Sequence, residues 1–164
     1  MSLNIKRILV PIDFSDYSIA ALRYSSEMAH IYKAKMYLVY VLEPAMYPPD
    51  LSLGQITLPP VPLEFDTRAK DELTSLAAKY IDSDIEVTVE VKVGKPFVEI
   101  IQMAKDEDID LVIISTHGSS GVEHMLFGST AEKVVRKAPC PVLTLREPIK
   151  GFDYKETINR LRGE

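Results

Sequence analysis

Asp110–Thr130 reads DLVIISTHGSSGVEHMLFGST, and the way this stretch divides decides the fold. Asp110–Ser115 is an apolar run rich in β-branched residues, the kind that a parallel sheet buries on both faces. Thr116–Phe127 carries glycine and serine and reads as a loop. Gly128-Ser129-Thr130 then opens a helix predicted to about Arg136, because small hydroxyl residues suit a helix start. A strand that feeds a helix in this way is half of a β-α-β unit.

Working outward, the rest of the chain repeats that unit. Downstream, Pro141–Leu145 is a last short strand. Upstream, Gly94-Lys95-Pro96 is a turn, with Pro96 suited to the first positions of a helix running to about Lys105. Ile85–Val93 (IEVTVEVKV) alternates apolar and polar, which fits a strand near a sheet edge. Leu73, Leu76, Ala77 and Tyr80 recur at helical spacing within a helix predicted over Leu63–Tyr80. Glu43–Pro62 holds six of the eleven prolines and reads as a long loop. Met36–Leu42 is an apolar strand. Ser15 or Asp16 caps a helix with Ile19, Leu22, Ala29 and Tyr32 on one stripe. Arg7–Ile12 (RILVPI) is the first buried strand. The order β-α-β-α-β-α-β-α-β predicts a single-domain α/β fold: a Rossmann-like, doubly wound, five-stranded parallel sheet with helices on both faces. That domain spans 1–147, and 148–164 is a tail with a short helix expected at Tyr154–Leu161.

Composition narrows the function. The chain has 164 residues, 46% apolar and 26% charged, with a net charge of −5. That balance lacks the basic footprint of a general nucleic-acid binder. The single cysteine, Cys140, excludes an internal disulfide framework and a multi-cysteine metal site. The longest uncharged stretch, Leu51–Leu63, contains three prolines and is too short to span a bilayer. Lys6 and Arg7 precede too few apolar residues for a signal-peptide core. The expectation is a cytoplasmic protein without a membrane role.

In a doubly wound sheet, ligands sit beyond the carboxyl ends of the strands, where the strand order reverses. Asp13 follows the first strand there, and Ser115–Gly118 follows the fourth. Ser115–Ser129 runs from one of these strand ends to a helix start. N–H groups and the positive dipole end at such a start favour a phosphate. Gly-Ser-Thr is also simply a good helix start, and on chemistry alone the two readings stand level.

The chain resembles the universal stress protein family over about residues 5–146. The family's nucleotide-binding branch carries Gly, two residues, Gly, nine residues, then Gly followed by Ser or Thr. Here the pattern runs Ser115-Thr116-His117-Gly118, nine residues, Gly128-Ser129. Val10-Pro11-Ile12-Asp13 is similar to the family's first strand end, and Ala138-Pro139-Cys140-Pro141-Val142-Leu143 to its entry into the last strand. The resemblance implies binding of ATP or AMP, with Mg²⁺ as a companion of the phosphates. It implies that Asp13 lies by the adenine or ribose, that Pro11 and Ile12 shape the pocket, and that Val41 packs on the adenine ring. Ser115, Thr116 and His117 lie where the backbone approaches the ribose and phosphates. Gly118 and Gly128 admit the phosphates, and Ser129 and Thr130 donate to them. Ser115 departs from the family glycine, so its side chain either crowds the nucleotide or donates a hydrogen bond to it. Ala131 stands where some relatives have a hydroxyl residue. For Asp13, capping the following helix is the bland alternative.

Other candidates weigh less. His117 and His124 have no carboxylate or cysteine at ligand spacing, so no metal site is expected, and they read as solvated loop residues. His30 reads as packing or surface, and Cys140 as a buried, inert thiol. The apolar side chains of the Glu43–Pro62 loop suit a nucleotide lid, a subunit contact, a partner surface or packing on the chain's own body. No P-loop lysine motif or nucleophile elbow is present. Three functions follow: a nucleotide-binding regulatory protein with a protein partner, a nucleotide-free interaction module, or a slow ATP hydrolase. Under the first two, the resemblance implies a homodimer paired through Pro141–Leu145.

Overall fold

The computed structural model describes residues 4–43, 63–117 and 128–146, with only the backbone given for 63–66. The sheet is parallel and five-stranded in the order β3-β2-β1-β4-β5. Its strands are β1 (Arg7–Pro11), β2 (Lys35–Leu42), β3 (Val87–Val93), β4 (Leu111–Ser115) and β5 (Val142–Leu145). The helices are α1 (Asp16–Tyr32), α2 (Leu63–Tyr80), α3 (Pro96–Asp106) and α4 (Ser129–Lys137). The α/β architecture and the alternation are those expected from the sequence. The Tyr154–Leu161 helix and most of the Glu43–Pro62 loop lie outside the described residues.

Side chains alternate across a strand, so each strand feeds two cores. Ile8, Val10, Met36, Leu38 and Ile113 pack with Leu22 and Ala29 of α1 and with Leu73 and Ala77 of α2. Leu9, Val39, Val112 and Ile114 face the other way, toward Ile100 and Met103 of α3 and Val134 of α4. The central strands β1 and β4 are therefore apolar on both faces over Ile8–Val10 and Leu111–Ile114. Edge strand β3 keeps Glu90 and Lys92 half-exposed in an ion pair at 2.7 Å. That is the wet face its alternation predicts.

Several sequence-derived details shift. The buried stripe of α1 is Ser18, Ala21, Leu22, Ser25, Ser26 and Ala29, while Ile19 and Tyr32 are half-buried. Small side chains dominate the stripe, and the buried Ser25 hydroxyl is satisfied by donating to the Ala21 carbonyl at 2.6 Å. The cap of α1 is Ser15, whose side chain accepts from Ser18 N–H; Asp16 is the first helical residue. Strand β3 starts at Val87 rather than Ile85, because Ile85 N–H closes a turn onto the Asp82 carbonyl at 3.0 Å. Strand β1 stops at Pro11, although Ile12 N–H still donates to the Val39 carbonyl at 2.8 Å, and Phe14 beyond it takes the left-handed region at φ 61°.

The reversal in strand order falls between β1 and β4. At the amino ends of these strands, one carboxylate fastens the seam. Asp110 Oδ2 accepts from Lys6 N–H at 2.8 Å and Arg7 N–H at 2.9 Å.

Candidate functional site

Beyond the carboxyl ends of β1 and β4 lies a cavity of about 480 Å³. Every sequence-derived site residue within the described chain lines it: Pro11, Ile12, Asp13, Val41, Ser115, Thr116, His117, Gly128, Ser129 and Thr130. Gly118 and His124 lie outside the described residues. The volume is within the ordinary range for a small-molecule site.

The floor comes from β1 and the entry to α1. Asp13 Oδ1 accepts from the backbone N–H of Ser15 at 3.1 Å and from its hydroxyl. Ser15 in turn caps α1, so Asp13 holds the capping residue and is not itself the cap. Ser18 Oγ accepts from Asp13 N–H at 3.3 Å and donates to the Ser15 carbonyl at 3.0 Å. These bonds fix the direction of the Asp13 backbone at the cavity. The next residue, Phe14, has a left-handed backbone that costs energy in a bulky side chain. Its ring packs edge-on against Tyr40 at 4.8 Å, an aromatic contact that offsets part of that cost.

The opposite wall is the β4 exit and the start of α4. Thr116 N–H donates to the Leu145 carbonyl at 2.9 Å, and Gly128 N–H donates to the Thr116 carbonyl at 2.6 Å. A β-carbon on Gly128 would lie 3.3 Å from that carbonyl oxygen. Glycine is therefore favoured by close approach, not by an unusual φ, which is −65°. Gly128 is the N-cap of α4 and supplies no side-chain cap bond. The first-turn N–H groups at Ser129 and Thr130 have no carbonyl of their own helix to reach, and N–H groups of that kind are chemically suited to an anion.

Ser115 is buried and donates its hydroxyl proton to the His117 carbonyl at 2.7 Å. Of the two roles left open for this departure, donation to a ligand is thus pre-empted by a backbone tie. His117 is more than a solvated loop residue. Its Nδ1 and Thr116 Oγ1 share a hydrogen bond at 3.0 Å, and its ring lies 5.5 Å from that of Tyr17.

Sequence reasoning missed Ser18, Tyr40, Glu43, Pro96 and Ile100, all of which line the cavity. Pro96 was within reach, since it starts the helix after β3 and so sits at the strands' carboxyl end. Ser18 carries no sequence signal separate from an ordinary helix serine. Among the described lining residues, the carboxylate side chains are Asp13 and Glu43, and none is lysine or arginine.

A second cavity opens at the amino ends of the strands, bordered by Lys6, His30, Lys35 and Asp84 among others. His30, Asp82 and Asp84 bring ligand-type atoms within 4.8 Å of one another there, all of them exposed. Cys140 is half-buried against the α3–α4 core. Burial pushes its thiol up, and a hydrogen bond with the Val112 backbone pulls weakly the other way. No described helix is long and apolar enough to cross a membrane.

Comparison with known proteins agrees with this architecture. The model of the universal stress protein family matches residues 4–146. Universal stress protein MJ0531 of Methanocaldococcus jannaschii is 30% identical over 145 residues, covering 88% of this chain and 84% of that protein. The solved structure of universal stress protein UspA from Lactobacillus plantarum matches with a TM-score of 0.70 at 28% identity, covering 88% of this chain and 100% of that one. A universal stress protein from Archaeoglobus fulgidus, solved in complex with dAMP, matches at 0.61 and 21% identity, over 88% of this chain and 100% of its own.

Proposed function

This chain belongs to the universal stress protein family, and from that premise we propose that it is a regulatory protein that binds an adenine nucleotide, AMP or ATP, in the cavity between β1 and β4. The observation that carries the reading is the convergence of Asp13, Val41 and the Gly128-Ser129-Thr130 helix start on one cavity of nucleotide-compatible volume. Half-buried Val41, backed by the buried Val39 and Ile100, offers an apolar surface for a base, and Asp13 offers acceptors for a ribose hydroxyl. The start of α4 offers N–H groups and hydroxyls for phosphate. The related Archaeoglobus fulgidus protein, with the same fold, holds dAMP, an adenine nucleotide of the class proposed here. In this reading the chain's own contribution is positional: the Asp13–Ser15–Ser18 bonds fix one wall and the Thr116–Gly128 bond fixes the other.

In this reading a bound nucleotide alters the surface that a protein partner reads. The protein works in the cytoplasm as a homodimer paired through the β5 edge. A parallel edge strand with half-exposed Val142, Leu143, Thr144 and Leu145 is a surface that invites pairing.

Mass spectrometry of small molecules released from purified, denatured protein tests the reading, together with calorimetric titration by AMP and ATP. The expected result is adenine nucleotide near one per chain, or heat saturating at one site. No released nucleotide and no heat at millimolar ligand would overturn it and leave an interaction module.

A further inference from the structure

We infer that His30, Asp82 and Asp84 form a second ligand site, at the amino end of the sheet, for a divalent first-row transition ion of the zinc type. The inference is independent of the nucleotide reading and uses none of its residues.

The three residues come from two elements that are anchored to the core. His30 lies in the last turn of α1. That turn is closed by Lys33, left-handed at φ 53°, and by Ala34 N–H donating to the Ala29 carbonyl at 2.9 Å. Asp82 and Asp84 lie on the turn between α2 and β3. Ile81 before them is buried, and Ile85 N–H after them donates to the Asp82 carbonyl at 3.0 Å. Glu86 then leads into the sheet, its carbonyl accepting from Met36 N–H at 2.9 Å. The three side chains are exposed, but their backbones are fixed, and they converge beside a cavity of about 660 Å³ that His30 and Asp84 border.

The spacing is that of ligands rather than of a closed ion pair. One ligand atom from each residue lies within 4.8 Å of those from the other two. His30 Nδ1 and Asp84 Oδ2 stand 3.7 Å apart, beyond hydrogen-bond range. On the same rim, Lys35 Nζ and Glu86 Oε1 close to 2.8 Å. Two donors held by one tetrahedral zinc at about 2.1 Å stand about 3.4 Å from each other. An ion therefore fits between His30 and Asp84 with little movement, and rotation of the exposed Asp82 side chain brings the third donor. Water completes the coordination.

The donor set selects the ion. An imidazole with carboxylates suits zinc, cobalt or nickel, whereas magnesium and calcium take oxygen ligands. Charge alone holds a hard cation poorly here, because Lys6, Lys33 and Lys35 border the cavity beside Asp84 and Glu86. The nitrogen of His30 is what makes the site. A bound ion ties the end of α1 to the turn that enters β3, and so stabilises the fold by mass action.

Proton NMR of the untagged, EDTA-treated full chain during titration with Zn²⁺ tests this. The chain has three histidines, and the His30 ring signal is the one missing from the spectrum of His30→Gln. Zinc at one equivalent should shift that signal, while Mg²⁺ and Ca²⁺ at about a hundredfold higher concentration should leave it in place. Asp82→Asn combined with Asp84→Asn should weaken the zinc response of the His30 signal by about tenfold or more. Zinc should also raise the melting temperature of the wild type, and that rise should be lost in His30→Gln and in the double variant. All three positions are exposed, so circular dichroism of the variants should match the wild type. Zinc that leaves the His30 signal unmoved would overturn the inference. So would an equal response in the double variant, or magnesium or calcium acting as strongly as zinc.

Discussion

A single methyl group at position 128 is a demanding test of the candidate site. It would press to 3.3 Å from the Thr116 oxygen, which already accepts a 2.6 Å bond from Gly128 and has little room to withdraw. Gly128→Ala should cost about 1 kcal/mol through crowding and a poorer cap, read by urea unfolding, and should weaken AMP binding in calorimetry. Unchanged stability and affinity would mean that the wall yields freely. Cys140 gives a second test. Burial raises its thiol, so less of it is thiolate at a given pH. Iodoacetamide at pH 8 should modify it more slowly than glutathione, measured by intact mass, and the gap should close in denaturant. Gly128, Asp13 and Ser129 were legible in the sequence because their chemistry is tied to strand ends and helix starts. The Ser115 tie to His117 and the left-handed Phe14 were not, because both depend on where the backbone goes after the strand.

Among the elements, α1 shows how local chemistry places the Asp13 carboxylate at the cavity. Ser15 both caps the helix and is held by Asp13. Ser15→Ala should lower stability by about 1 kcal/mol, equivalent to roughly 2–4 °C in melting temperature for a chain of this size. Differential scanning calorimetry checks it, and a shift under half a degree would show that the cap is dispensable. The strands and helices themselves were readable: α2 lies where its leucine and alanine spacing predicts, and β4 is the uninterrupted apolar run that a central strand requires. Their ends were less so. Ile85 looks like part of β3 by alternation, yet a turn from Asp82 captures its N–H first. Of the apolar stripe Ile19, Leu22, Ala29 and Tyr32 in α1, Leu22 and Ala29 are buried, whereas Ile19 and Tyr32 are half-buried and the sheet takes Ala21 and Ser25 in addition. Close packing favours small side chains there over larger ones at the flanks.

Among the described residues the sheet has two edge strands, β3 and β5, and β5 is the one that the proposed dimer uses. Leu143→Asp should shift light-scattering mass from two chains to one while circular dichroism stays α/β. A variant still dimeric would exclude that edge. The global topology was legible because strict alternation leaves few parallel arrangements, and the reversal between β1 and β4 placed the site before any side chain was located. What alternation cannot supply is the timing imposed by the strand order. The strand made first, β1, is flanked by β2 and β4. Its β4 side is closed by pairs such as Ile8 with Leu111 and by Asp110 reaching back to Lys6 and Arg7, more than a hundred residues earlier. At ordinary elongation rates, the ribosome needs on the order of ten seconds to traverse that distance. Within that interval β2 and then β3 become available to pair, but one flank of β1 waits for a neighbour not yet made. A nascent chain of this protein therefore passes through a half-sheet with an open central edge, the stage at which chaperones have most to shield.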